Sequence, residues 1–61
     1  MKISTFNLTN RIVKELRFNT DNIEDIKRAE KQKTRLENEG YNLKTEKAGF
    51  ASALMIYVKL I

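Results

Sequence analysis

The chain contains no cysteine and no histidine. Without cysteine there can be no disulfide, no thiolate metal site and no thiol nucleophile. Without histidine the commonest general base at neutral pH is missing, and with it the commonest metal ligand. Glycine is scarce: Gly40 and Gly49 are the only two, and neither sits in a GxxxxGK[ST] loop or a GxGxxG fingerprint. Long apolar runs are absent as well. The longest stretch free of charge, Ala48 to Val58, is too short to span a bilayer. Met1-Lys2-Ile3-Ser4 leads into no signal-type apolar run. Repeats, low-complexity segments and linkers are not found. Together these absences predict one cytoplasmic domain with no membrane segment and no cofactor.

Catalysis would have to rest on Ser, Thr, Tyr, Lys or carboxylates. Six of the eight acids fall on one predicted helix, and only Glu15 and Glu46 lie elsewhere. A solvated helix face explains that distribution better than a paired-carboxylate site does. Asp21, Asn22, Glu24 and Asp25 lack the spacing of an EF-hand loop, and helix capping accounts for them fully. The expectation is a protein that binds and does not catalyse, with no metal and no catalytic residue.

Hydrophobic residues make up 41% of the chain and charged residues 33%, a balance that suits a folded domain. At 61 residues the core is marginal, because a chain of this size buries only roughly 60% of the surface its unfolded form exposes. Small scaffolds normally need a staple. With disulfides and thiolate metal sites excluded, association remains, so a homo-oligomer or an accessory subunit is expected. The richness in Lys, Asn and Ile fits an AT-rich coding genome such as that of a phage or plasmid.

The clearest element is a helix over Asp21–Glu39. Thr20, Asp21 and Asn22 are all good N-cap types, and Glu24 and Asp25 put negative charge in the first turn, where the helix dipole favours it. Ile23, Ile26, Ala29 and Leu36 recur at helical spacing, with the Lys33 stem between them. Glu24–Arg28, Lys33–Glu37 and Arg35–Glu39 are opposite charges four apart. Gly40 supplies a residue able to turn left-handed after the last turn.

After Gly40 the period changes to two. Tyr41, Leu43 and Thr45 alternate with Asn42, Lys44 and Glu46, Ala48-Gly49 reads as a tight turn, and Phe50–Leu60 as the returning strand. That register sets Leu43 opposite Leu54 and Tyr41 opposite Ile56. It predicts a helix-facing set of Tyr41, Leu43, Phe50, Leu54, Ile56, Val58 and Leu60, with Ala51, Ala53, Met55, Tyr57 and Ile61 on the other side. A strand apolar on both faces belongs in the middle of a sheet. Lys2–Leu8 reads as a strand, Thr9-Asn10 as a turn, and Arg11–Phe18 as a strand with Ile12, Leu16 and Phe18 on one side. The rival reading makes Asn10–Phe18 a short buried helix; the hairpin is preferred. The predicted fold is α+β: a ββαββ domain with a four-stranded, largely antiparallel sheet and one helix across one face.

The net charge of +4 is unevenly placed. Thr20–Glu39 carries five bases against six acids, whereas the remainder carries seven against two. The positive excess therefore lies on strands and turns, unlike a recognition helix for a DNA groove. On the predicted registers the sheet face away from the helix gathers Lys2, Phe6, Arg17, Lys44, Tyr57 and Lys59. Bases interleaved with aromatics on an open sheet suit single-stranded nucleic acid, with phosphates neutralised and bases stacked. Lysines also protect exposed strands from aggregation, which accounts for part of the same pattern. The alternative is a protein-interaction module, an accessory subunit or a regulator of a host protein. It would dock through an edge strand or through an apolar sheet patch of Phe6, Val13, Met55, Tyr57 and Ile61.

Overall fold

The computed structural model describes residues 1–61. Its elements are β1 (Lys2–Asn7), β2 (Arg11–Asn19), α1 (Ile23–Asn38), β3 (Asn42–Gly49) and β4 (Ser52–Leu60). The strands form one antiparallel sheet in the order β1-β2-β4-β3, with α1 packed on one face. The architecture is the expected ββαββ α+β domain. No helix is long and apolar enough to cross a membrane.

Residues 11–19 form a strand, not the alternative helix. Leu8 N–H donates to the Arg11 carbonyl at 2.8 Å, closing a tight turn at Thr9-Asn10. β2 then pairs along its whole length with β4, from Arg11 opposite Leu60 to Asn19 opposite Ser52. Those long-range pairs outweigh the local helical tendency of a Val-Lys-Glu-Leu segment, as tertiary context commonly does for short stretches. Ile12, Leu16 and Phe18 turn toward the helix, as their alternation predicts.

The helix is capped at both ends by side chains and backbone of its own sequence. The Asn22 side-chain oxygen accepts from the Glu24 and Asp25 amides at 2.9 and 3.2 Å. At the other end Gly40 has φ +96, the Gly40 amide reaches the Glu37 carbonyl, and the Tyr41 amide reaches the Leu36 carbonyl at 2.9 Å. This is a Schellman arrangement, whose usual companion is an apolar contact between the residues at its two ends. Leu36 and Tyr41 make that contact within the core. The apolar stripe is rotated from its expected position. Asp25, Ala29 and Leu36 are the buried positions, Ile23 is left largely exposed, and the Lys33 side chain stays in solvent. Of the three expected ion pairs only Arg35–Glu39 forms, at 3.8 Å.

The β3–β4 hairpin departs from the predicted register in two ways. Its turn is Phe50-Ala51, closed by Gly49 opposite Ser52, and not Ala48-Gly49. It also contains a bulge: Leu43 opposes Tyr57 and Thr45 opposes Ile56, leaving Lys44 as the extra residue. A single inserted residue moves everything beyond it to the opposite face. Tyr41 and Leu43 therefore share a side with Met55 and Tyr57, not with Leu54 and Ile56. The two faces of β4 are thus the reverse of those predicted. The Schellman turn fixes Tyr41 beneath the helix, the β2 register brings Met55 beside Leu16, and the bulge reconciles the two.

The resulting core is thin. Leu16, Leu36, Tyr41, Met55 and Tyr57 form its buried cluster, with Ile12 and Phe18 packed against it. Ala29 offers only a methyl group where the helix meets the sheet, which lets the two layers approach closely. Beside this core Asp25 ties three segments together. Its carboxylate accepts from the Met1 ammonium and from the Asn19 amide, each at 2.9 Å, with the Arg28 guanidinium at 3.8 Å. The Asn19 amide, the Met1 hydrogen bond and these positive charges together hold its pKa below the usual carboxylate value, against the opposing effect of burial.

Candidate binding face

With Met55 and Tyr57 turned inward, the opposite face of the sheet consists of three cross-strand rows. The first runs Lys2–Arg17–Leu54–Lys47 and the second Ser4–Glu15–Ile56–Thr45. The third runs Phe6–Val13–Val58–Asn42. Directly opposed side chains in such rows sit about 4.5–5.5 Å apart at Cβ, so each row is a contact surface. No element covers this face. Val13, Leu54, Ile56 and Val58 remain half-buried and Phe6 exposed. The face is therefore aliphatic in the middle and basic at one end. Arg11 adds a fourth base beyond the third row, opposite Leu60. Glu15 is the only acid, and it approaches Arg17 at 3.8 Å.

The structure brings together three of the six residues expected to form the site. Lys2 and Arg17 are direct cross-strand neighbours, and Phe6 lies two rows away on the same face. Tyr57 does not join them; it is the most completely buried ring of the core, with no exposed surface. Burial, followed by the nearby charges of Glu37 and Glu46, pushes its phenol pKa above the usual value, and its hydroxyl has no hydrogen-bond partner. Lys59 also belongs to the helix side, its ammonium 5.7 Å from the centre of the Tyr41 ring. Lys44 sits in the bulge at the edge of the sheet. Met55 leaves the expected apolar patch for the core.

Two residues take places that periodicity did not assign. Lys47 completes the basic row: the bulge at Lys44 carries it to the open face, and the later hairpin turn sets it opposite Leu54. Phe50 is wholly exposed at the tip of that hairpin, although it reads as a core residue in the sequence. Its neighbour Ala51 has φ +60, a left-handed conformation rare for a residue with a Cβ. The tip lies at the same end of the sheet as the row of bases, where Lys2, Arg17, Lys47 and Leu54 border an open hollow. No three carboxylates converge to form a cation site. Comparison with known protein families, curated proteins and solved structures gives no match for this chain.

Proposed function

We propose that the chain is a non-enzymatic binding protein that docks a protein partner through the open face of its sheet. The observation that carries this reading is the uncovered aliphatic strip of Val13, Leu54, Ile56 and Val58, ending in Lys2, Arg17 and Lys47. A bare apolar strip with charged residues at its margin is the pattern of an interaction surface. The chemistry it fits is an apolar partner surface edged by carboxylates.

The test is capture from extracts of the native host with wild-type protein and with Ile56→Lys, with folding of the variant verified by circular dichroism. Retention of the same partner by a folded Ile56→Lys variant would count against the open face. A second reading, association with single-stranded nucleic acid, draws on the basic row and on the exposed Phe50 ring at the same end. It is the weaker of the two, because stacking needs several rings and the open face presents only Phe6. Anisotropy with labelled oligonucleotides at two salt concentrations separates the readings, since phosphate contacts weaken steeply with salt and an apolar dock does not.

A further inference from the structure

The two edges of the sheet are guarded unequally. β3 carries a bulge and the charged side chains Lys44, Glu46 and Lys47, all devices that keep an unpaired strand from recruiting another. β1 has less protection, its one charge being Lys2 at its first position. It pairs without irregularity from Lys2 to Asn7, and no charge occurs from Ile3 through Asn10. Its unpaired groups can be identified. The bond from Leu8 to Arg11 marks a hydrogen-bonded rung, and antiparallel rungs alternate, so Phe6, Ser4 and Lys2 direct their backbone at β2. Ile3, Thr5 and Asn7 therefore turn their N–H and C=O groups outward, away from the sheet.

We propose that β1 pairs antiparallel with β1 of a second copy of this chain, around a two-fold axis at Ser4, joining two sheets into one. The symmetry requires that facing residues share a side of the sheet, and this register satisfies it. Ile3 then meets Thr5 of the second copy through outward-facing backbone groups, and Lys2 meets Phe6 of the second copy, an ammonium against a ring with no like charge opposite. Other arrangements are less favoured. Face-to-face packing of two open sheets would oppose four bases and one acid with the same set. A foreign strand chosen by its side chains would need pockets along the edge, and neither hollow of the molecule flanks Ile3–Asn7. One strand pair buries far less than the roughly 800 Å² per partner of a standard interface, so a weak, concentration-dependent dimer is expected.

Sedimentation equilibrium from about 10 μM to about 2 mM should show a monomer–dimer transition. Over the same range, hydrogen exchange at the Ile3 and Thr5 amides should slow. Ser4→Lys places two ammonium groups opposite each other at the axis, while in its own chain the new lysine faces Glu15. It should fold normally and weaken the dimer at least roughly tenfold, as like charges directly opposed are unfavourable. Ser4→Glu should do the same, and an equimolar mixture of the two variants should recover association. Thr5→Pro removes an outward N–H without touching the β2 ladder and should abolish the dimer in a folded chain. A wild type that is monomeric throughout, a dimer indifferent to Ser4→Lys or Thr5→Pro, a mixture that fails to recover, or protection confined to β3 would each overturn the proposal.

Discussion

Replacing Tyr57 with Phe is expected to stabilise the protein. The ring is fully buried and its hydroxyl finds no partner, while in the unfolded chain that hydroxyl is hydrated. Leaving a buried polar group unpaired costs about 1–3 kcal/mol. Phe keeps every carbon contact of the ring and vacates only the volume of one oxygen, so the loss of packing is small. A net gain of about 1 kcal/mol is expected, which for a domain of this size corresponds to a rise in Tm of about 4–8 °C. The substitution should also change the alkaline limb of the stability curve. The folded phenol titrates above 10.0, its ordinary value, because burial and the charges of Glu37 and Glu46 disfavour the phenolate. The unfolded state therefore releases its proton first as pH rises. Stability from this group is complete below about pH 10 and falls as pH increases through that value. Tyr57→Phe should lose this component of the decline. The assay is thermal unfolding followed by circular dichroism at neutral pH and in steps up to about pH 11. A variant less stable than wild type by 1 kcal/mol or more at neutral pH would refute the reasoning, since it would mean that the hydroxyl is hydrogen-bonded in the fold.

Leu16→Ala should cost about 2–5 kcal/mol and leave the domain largely unfolded, whereas Leu54→Ala, on the open face, should cost clearly less; equal losses in urea titrations would contradict the assignment of faces. Ala51→Gly relieves the left-handed conformation at the hairpin tip and should stabilise by about 0.5–1 kcal/mol, against about 1 kcal/mol lost in Gly40→Ala. At Gly40 an added Cβ would meet only Lys59 Cε at 3.7 Å, so that loss comes from the backbone and not from a clash. The same titrations measure both, and a change of the same sign at the two sites would refute the argument. Asp25, whose pKa is depressed, contributes stability that is present above 3.8 and lost as pH falls through its folded value. Asp25→Asn should lower Tm at neutral pH and narrow the gap to wild type in acid, and a constant gap down to about pH 2 would argue against the Met1–Asn19 bracket.

The order of elements was legible in the chain because each depends on neighbours within a few residues. Asn22 and Gly40 bound a helix through hydrogen bonds made within one turn, and Thr9-Asn10 returns one strand onto another. The residues Ile12, Leu16 and Phe18 declare their common side by simple alternation. The same locality explains why Lys2, Phe6 and Arg17 were correctly placed on one face: they belong to a hairpin with a tight turn and an unbroken register. Beyond this hairpin the argument from alternation failed at one residue. Lys44 carries no mark in the sequence that it is a bulge, and Ala51 takes a positive φ that Gly49 was better suited to adopt. The bulge exchanged the faces of β4, taking Tyr57 and Lys59 from the expected site and bringing Lys47 to it, whereas the later turn, a shift of two residues, moved only the pairing of the rows. A strand that is apolar on both sides cannot announce which side is the core. That was decided by Leu16 pairing with Met55 and by the Leu36–Tyr41 contact beneath the helix, both of which exist only once the chain has closed on itself.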